Sequence, residues 1–323
     1  MIFSAVRIAG MSLFAFLGLA VTGCEQVVPI VPYDPWEFEG FTVYSHVPDE
    51  PVGVVYLFHG SYGNASFAVK IETLEVTNIL VSRGYAVVAT ESTLRRDSKR
   101  WQVKDPSLDT NADLARIARL HDALISSTAL AQQTPMFGIG MSNGARMVSL
   151  FGQAFSDAGY PIVAVAPFMG RVAESVKSAG GMRIPSFFVV AEHDTVTSNV
   201  DIVEDYEMAL LNGVSAQIYT KIEEPLLPYR FTRIPSVTTE ESIEIKDLFR
   251  STGAWDDNGK RVVPVKDAIA SFTTLKIPPA LSRDRSRILG QVKAMLAVHQ
   301  FVGIYTRQLA DFFDANLEIW GDG

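Results

Sequence analysis

The chain of 323 residues has very little cysteine: Cys24 is the only one, so no disulfide can form within it. Basic residues are in deficit, with 28 Lys and Arg against 36 Asp and Glu. Because binding to a nucleic-acid backbone depends on clustered positive charge, this balance argues against a nucleic-acid partner. Metal-ligand spacings, phosphate-binding loops and dinucleotide fingerprints are also missing from the sequence, so we predict no metal and no cofactor.

The N-terminus carries an uncharged segment from Ile8 to Gly23, which follows Arg7 and leads to Cys24. It is short for a membrane-spanning helix, which needs about 20 residues, but it suits the core of an export signal. The ending VTGC resembles the lipobox of bacterial lipoproteins. That resemblance implies a signal peptide over residues 1–23, cleavage before Cys24, and acylation, including palmitate, that anchors the protein to a membrane. A plain secretory signal is the alternative.

The resemblance to lipoproteins implies a location in the bacterial cell envelope, as a lipid-anchored membrane protein of the outer membrane or periplasm. Glu25 follows the cysteine, in place of the aspartate that often marks retention at the inner membrane in enteric bacteria. Prolines at positions 29, 32 and 35 favour an extended chain over a packed element. We therefore predict a tether over residues 24–39.

From residue 52 onwards, short apolar runs alternate with amphipathic stretches. The runs are VGVVYLFHG, YAVVAT, PMFGIG, PIVAVA and PSFFVV, and they are apolar at nearly every position. Such runs are typical of parallel strands buried on both faces. Helical spacing between them places Val148, Phe151 and Phe155 on one face. Alternating strands and helices predict an α/β domain over residues 40–323 with a mostly parallel, doubly wound sheet.

Two segments depart from this alternation. FTVYSHV, residues 41–47, alternates polar and apolar residues and predicts an antiparallel edge strand. Residues 222–290 contain many turn residues and no long apolar strand, although TTEESIEIKDLF is typical of a short capped helix. We interpret this stretch as an insertion that lies over the sheet.

The sequence GMSNG, Gly140 to Gly144, places Ser142 between two glycines where a predicted strand meets a predicted helix. A serine on such a tight turn has a strained backbone, so the residues two positions away must be small. The turn would raise the hydroxyl above the carboxyl edge of the sheet, where open α/β sheets bind ligands. This context favours a nucleophile, and a plain glycine-rich connector is the alternative.

A serine nucleophile requires a base, which in turn requires an orienting acid. The five histidines differ in their setting. His46 lies on the predicted edge strand, His59 in the loop FHGSYGN, and His121 on the apolar face of a helix. His193 adjoins Asp194 and precedes the insertion, whereas His299 follows all the predicted strands.

At this point the chain resembles the α/β-hydrolase family, in which the order is serine, acid and histidine. Ser142, Asp194 and His299 match these places. The resemblance implies a catalytic triad on an α/β-hydrolase fold, with residues 222–290 as a lid or cap before the catalytic histidine. Ala191 stands where family members have glycine before the acid, and Glu192 is a nearby alternative carboxylate.

The family also stabilises the oxyanion of acyl transfer with two backbone N–H groups. The resemblance assigns one to Asn143, which follows the nucleophile, and the other to Ser61 or Tyr62 in HGSYGN, residues 59–64. A plain glycine turn is the alternative for that loop. Within the family, this loop and the envelope setting look most like the branch of dienelactone hydrolases, feruloyl esterases and polyhydroxyalkanoate depolymerases.

The resemblance implies a serine hydrolase that cleaves small or polymeric carboxylic esters through an acyl-enzyme. A peptidase or thioesterase with the same triad, or a non-catalytic lipoprotein that binds a ligand, is the alternative. LRRDSKRW, residues 94–101, follows a strand on the same side of the sheet. A solvated loop is the favoured interpretation, and a site for an anionic or sugar-like substrate is the alternative.

The lipoprotein hypothesis makes a direct prediction. Replacing Cys24 by serine removes the thiol that lipidation requires, so the Cys24→Ser variant should incorporate no palmitate and should leave the membrane fraction. Metabolic labelling with palmitate and cell fractionation measure both effects. Labelling and fractionation equal to the wild type would refute the anchor.

Overall fold

The computed structural model describes residues 33–96 and 98–321. The predicted signal peptide, Cys24 and residues 24–32 of the predicted tether lie outside the described residues. In the described part, no helix is both long enough and apolar enough to cross a membrane.

The described residues form one eight-stranded sheet with the order β1-β2-β4-β3-β5-β6-β7-β8. β1 pairs with β2, and β2 with β4, in antiparallel fashion, whereas every pairing from β4 through β3, β5, β6 and β7 to β8 is parallel. The strands are β1 (Asp34–Phe38), β2 (Phe41–His46), β3 (Gly53–Phe58), β4 (Tyr85–Ala89), β5 (Met136–Met141), β6 (Ile162–Phe168), β7 (Ser186–Ala191) and β8 (Ala216–Lys221). The five apolar runs form β3 to β7, as predicted.

Helices connect the strands. They are α1 (Ile71–Ser82), α2 (Ala112–Ser126), α3 (Asn143–Asp157), α4 (Glu174–Ser178), α5 (Asn199–Leu211), α6 (Thr239–Ser251), α7 (Val265–Thr274), α8 (Arg285–Met295) and α9 (Thr306–Gly321). Short 3-10 helices cover Ala65–Val69, Arg230–Arg233 and Pro279–Asp284.

Both faces of the sheet are covered by helices. One hydrophobic cluster joins the sheet to α2, α3 and α5, and the predicted face Val148, Phe151 and Phe155 lies wholly within it. A second cluster joins the opposite face to α1 and α9. The doubly wound arrangement predicted from the sequence is therefore confirmed, because helices cover both faces of the sheet.

Two predictions at the start of the domain are wrong: the end of the tether and the edge position of residues 41–47. Residues 34–38 form β1, which pairs with β2 from Asp34↔Ser45 to Phe38↔Phe41, so the tether cannot extend to residue 39. Pro35 is tolerated because β1 is the edge strand, where one row of N–H groups needs no partner. β2 is consequently an inner strand of the sheet, although it is antiparallel as predicted.

The segment between β8 and His299 is a helical cap with its own hydrophobic cluster. The predicted capped helix is α6, whose Thr238 and Glu241 form a reciprocal capping box. The predicted boundary at residue 290 falls inside α8 and is wrong, because Val292 and Met295 are buried in the cap cluster. The cap therefore extends to the end of α8.

Glu72 on α1 ties the cap to the sheet domain. Its carboxylate accepts hydrogen bonds from Arg233 Nη1 at 2.7 Å, from Gln291 Nε2 at 3.0 Å and from the backbone N–H of Gly303 at 2.7 Å. Burial alone would raise the pKa of Glu72, but the two guanidinium groups of Arg233 and Arg230 and the Gly303 N–H hold it below its usual value. Glu72 therefore stays ionised and connects α1, the cap and the chain before α9.

Removing this carboxylate should destabilise the protein. In Glu72→Ala, Arg233 keeps its contacts with Glu75 and Gln291 but loses its buried carboxylate partner, and we expect the free energy of unfolding to fall by about 3 kcal/mol. Glu244→Ala on the exposed face of α6 is the matched control and should change it by no more than about 0.5 kcal/mol. Urea unfolding followed by circular dichroism measures both, and equal effects would contradict the role of Glu72.

Candidate active site

The carboxyl ends of three parallel strands carry most of the predicted site residues. The 59–64 loop follows β3, Ser142 follows β5, and Asp194 lies just after β7. Because parallel strands end at one edge of the sheet, these residues are brought to the same side of the molecule.

Ser142 occupies the strained turn that the sequence predicts. Its backbone has φ 59° and ψ −115°, a conformation that costs energy for a residue with a side chain. A Cβ on Gly140 would collide with the carbonyl of Gly144, and a Cβ on Gly144 would collide with the carbonyl of Phe58. The turn is held on its other side by the hydrogen bond from Ser142 N–H to Phe168 O at 2.9 Å.

The three side chains predicted as a triad meet in one chain of hydrogen bonds. Ser142 Oγ lies 2.8 Å from His299 Nε2, and His299 Nδ1 lies 2.7 Å from Asp194 Oδ2. These pairs are separated by 157 and 105 residues in the sequence. The geometry allows His299 to accept a proton from the serine while the carboxylate fixes the orientation of the ring.

Asp194, and not Glu192, is the carboxylate that contacts the histidine. The Asp194 side chain is fully buried, and its Oδ1 accepts the backbone N–H groups of Val196 at 2.8 Å and Thr197 at 3.0 Å. Burial by itself would raise the pKa of Asp194, but the hydrogen bonds from His299 and from these N–H groups hold it below its usual value. Glu192 instead accepts the N–H of Glu223 at 2.9 Å.

The candidate oxyanion donors differ in their availability. Asn143 begins α3, so its backbone N–H has no partner inside the helix. Gly60 lies close to the candidate nucleophile, since a Cβ on it would be 3.4 Å from Ser142 Cβ. Ser61 is the next residue of the same loop. The N–H of Tyr62 already donates to Ser98 O at 2.7 Å. Of the two alternatives, Ser61 is the one whose N–H forms no hydrogen bond with another described residue.

Trp101 joins the 59–64 loop to the start of α3, a contact that the sequence did not reveal. Its backbone N–H donates to Asn143 Oδ1 at 2.7 Å, and its indole Nε1–H donates to His59 O at 2.8 Å. The side chain is almost completely buried, so the prediction of a solvated loop over 94–101 is wrong for Trp101. The sequence around Trp101 contains no residue spacing that would distinguish this structural contact from binding of a sugar-like substrate.

His59 shapes the loop that it precedes. Its Nε2 accepts the N–H of Ser92 at 3.2 Å, so Nδ1 carries the proton and donates to Gly60 O at 2.7 Å. Burial lowers the pKa of His59 to about 4, which keeps the ring neutral with one donor and one acceptor. The ring stacks obliquely on Trp101, with centroids 4.8 Å apart.

The other histidines lie away from Ser142 Oγ. His121 is buried on α2, where its Nδ1 lies 2.9 Å from Tyr56 Oη, and burial lowers its pKa to about 4. His46 is half-buried on β2. The His193 ring contacts Glu223 at 2.8 Å, while its backbone N–H donates to Ala297 O at 2.9 Å. His193 thus supports the loop that carries His299.

The sheet order, the nucleophile turn after β5, and the acid and histidine positions define the α/β-hydrolase fold. Within the described residues, no three His, Cys, Asp or Glu side chains are arranged to hold a metal ion. No protein-family model matches the chain, and no curated protein sequence matches it.

Several solved structures are similar to this chain. One is an acetyl xylan esterase from Aspergillus awamori, with 15% identity, a TM-score of 0.43, and coverage of 53% of this chain and 74% of that one. A ferulic acid esterase has 13% identity and a TM-score of 0.46 over 58% and 88% of the two chains. A predicted CIB-like hydrolase from Thermoplasma acidophilum has 19% identity and a TM-score of 0.41 over 68% and 98%.

The contact between Gly144 and β3 predicts a severe effect of a single methyl group. In Gly144→Ala the new Cβ would collide with Phe58 O and lie 2.7 Å from His59 O, so Ser142 and the 59–64 loop must separate. We expect at least a hundredfold loss of ester hydrolysis, since small misplacements at a reacting centre cost about 10²-fold.

Gly321→Ala at the end of α9 is the control, because nothing lies within 4 Å of its Cβ position. This variant should keep full activity, and its stability should change by no more than about 0.5 kcal/mol. Steady-state kinetics and thermal unfolding of both variants measure the difference. Full activity in Gly144→Ala would show that the nucleophile turn is not constrained in this way.

Proposed function

We propose that this protein is a serine hydrolase that cleaves carboxylic esters through an acyl-enzyme intermediate. The observation that carries the proposal is the continuous hydrogen-bonded chain from Ser142 Oγ through His299 to Asp194. A buried carboxylate, an imidazole and a strained serine in this order are the parts that nucleophilic acyl transfer requires. A binding protein would not require this arrangement.

In the proposed reaction, Ser142 Oγ attacks the ester carbonyl while His299 Nε2 takes its proton. The imidazolium is stabilised by Asp194, which remains ionised because its hydrogen bonds lower its pKa. The oxyanion accepts hydrogen bonds from the backbone N–H groups of Asn143 and Ser61. His299 then protonates the departing alcohol, and water activated by the same imidazole hydrolyses the acyl-enzyme and restores the free serine.

The cap has a proposed part in this function. The chain leaves the sheet for the cap directly after β8, at the same edge as Ser142, and returns from α8 to His299. A cap in that position would bound the substrate cleft and select which esters enter it. The clamp of Glu72 on Arg233 supports a cap that keeps a fixed position on the sheet domain.

We also propose that the enzyme is anchored in the bacterial cell envelope through lipidated Cys24. Support comes from the sequence alone: the uncharged segment Ile8 to Gly23, the VTGC ending, and a single cysteine at the position that lipidation requires. The short chain between Cys24 and Asp34, where β1 begins, would keep the hydrolase domain near the membrane surface.

Active-site labelling tests the nucleophile. A fluorophosphonate probe should label the wild type and not Ser142→Ala, whose kcat should fall by a factor on the order of 10⁶. Asp194→Asn should fall by about 10⁴-fold, because the histidine would then adopt the wrong tautomer. Glu192→Gln, which changes the carboxylate that does not contact His299, is the matched control and should retain labelling. Absence of labelling in the wild type would favour a non-catalytic binding protein.

The bond that is cleaved requires a separate comparison. Hydrolysis of nitrophenyl esters with acyl chains of increasing length should greatly exceed hydrolysis of the matching thioesters and peptide anilides. The wild type and Ser142→Ala should be assayed in parallel, so that background hydrolysis is removed. A preference for anilides or thioesters would assign the same triad to a peptidase or a thioesterase.

A further inference from the structure

A chain of polar contacts joins the cap to the loop that carries Asp194. Arg261 of the cap donates to the carboxylate of Glu223 through two N–H groups, from Nη2 at 2.7 Å and from Nε at 3.0 Å. The same carboxylate lies 2.8 Å from Nε2 of His193, the residue before Asp194. No more than 26% of any of these three side chains is exposed, so solvent screens the contacts only in part.

Glu223, where the chain enters the cap two residues after β8, is ionised in this arrangement. Burial by itself would raise the pKa of Glu223, but the hydrogen bonds from Arg261 and His193 hold it below its usual value. Because a carboxylate only accepts hydrogen bonds, Nε2 of His193 carries the proton that lies between the two groups. The paired N–H groups of Arg261 fix the plane of the carboxylate, which in turn fixes the orientation of the His193 ring.

Arg261 is itself held within the cap. It pairs with Trp255 in an antiparallel β-bridge, and the N–H of Val262 donates to Ala254 O at 2.9 Å. Trp255 and Ala254 belong to the buried cluster of the cap, and a further N–H of the Arg261 guanidinium donates to Val263 O. The position of the guanidinium therefore follows the position of the cap.

At the other end of the chain of contacts, His193 touches the loop that carries His299. The backbone N–H of His193 donates to Ala297 O at 2.9 Å, two residues before His299. Ala297 is fully buried and has φ 50°, a left-handed conformation that is strained for a residue with a side chain. Such a residue keeps its conformation only where its neighbours hold it, so the bond from His193 helps to set the direction in which the chain reaches His299.

Backbone contacts make the connection between Glu223 and the Asp194 loop stiff. The N–H of Glu223 donates to Glu192 Oε2 at 2.9 Å, and the N–H of Glu192 donates to Lys221 O at 2.9 Å. The segment after β8 and the segment after β7 are thus paired on both sides of the contact with His193. A shift of Glu223 would therefore be passed to the residues directly before Asp194.

We propose that Arg261 is a positioning residue for the candidate triad. Through Glu223 and His193 it holds the loops of the candidate acid and the candidate base in the orientation that proton transfer requires. The inference rests on the proposed function and adds to the part of the cap, since a docked cap would also complete the alignment of the triad. The clamp of Glu72 on Arg233 fixes the cap on the sheet domain, whereas Arg261 acts on the loops themselves.

Steady-state kinetics on a small ester test this role. In Arg261→Met, kcat for 4-nitrophenyl acetate, counted per serine labelled by fluorophosphonate, should fall about tenfold with KM within about twofold of the wild type, because the loss is one of alignment. An acetyl ester is used because a cap that only selects substrates by size discriminates least against the smallest acyl group. Lys260→Met removes the neighbouring exposed cation and is the control, which should change neither constant.

Two results would overturn the proposal. One is an unchanged kcat in Arg261→Met, and the other is a rise in KM alone that grows with the length of the acyl chain. The second result would mean that Arg261 affects only the entry of substrate.

Glu223→Gln provides a second variant that keeps the size of the side chain and removes its charge. Its kcat should fall several-fold, and this variant decides the matter if circular dichroism shows that Arg261→Met has lost the fold of the cap. The double variant should be no slower than Arg261→Met alone, because both changes break the same chain of contacts. A wild-type kcat in Glu223→Gln, or losses that multiply in the double variant, would count against the proposal.

Proton exchange at His299 separates this inference from the proposed function. In Ser142→Ala, the Nδ1–H that His299 directs to Asp194 at 2.7 Å should give a downfield proton resonance, which Asp194→Asn identifies by its loss. Adding Arg261→Met should make this proton exchange about tenfold faster with water, because the loops open more often. Adding Lys260→Met should leave the exchange rate unchanged.

The two proposals can then fail separately. If no ester is hydrolysed but the exchange rate responds to Arg261→Met, the hydrolase proposal fails and the positioning role stands. If esters are hydrolysed while kcat and the exchange rate are both unchanged in Arg261→Met, the positioning role fails alone.

Discussion

The close approach of three backbone segments at Ser142 is the constraint on which the site depends. β5 ends and α3 begins within one residue, and this is possible because Gly140 and Gly144 carry no Cβ between them. The same lack of a side chain at Gly144 allows the carbonyl of Phe58 on β3 to touch the turn. This contact therefore holds Ser142, the candidate nucleophile, in a fixed position relative to the first N–H groups of α3 and the 59–64 loop.

His299, the candidate base, lies 157 residues after Ser142 in the sequence, and its position depends on the cap. The loop of His299 is held on one side by the hydrogen bond from His193 N–H to Ala297 O. On the other side, Glu72 binds the N–H of Gly303 while it also binds Arg233 of the cap. The carboxylate of Glu72 thus couples the fold of the cap to the placement of the histidine.

Strands buried on both faces could be read from the sequence because burial leaves a continuous apolar run, as in β3 to β7. β1 and β8 could not be read in this way, since edge strands are half-exposed and β1 contains Pro35. The boundary of the cap was missed for a related reason. A helix such as α8, buried in a separate cluster, has the same amphipathic pattern as a helix on the sheet.

By itself, the amino-acid sequence determined the doubly wound sheet, the strained serine turn and the residue types of a triad, because each has a local pattern. Only the tertiary structure decided that Asp194 and not Glu192 faces His299, that Tyr62 N–H is occupied, and that Trp101 joins the 59–64 loop to the start of α3. These facts depend on contacts between residues far apart in the chain. Local sequence determines the path of the backbone, but packing determines the direction of a side chain at the end of a strand.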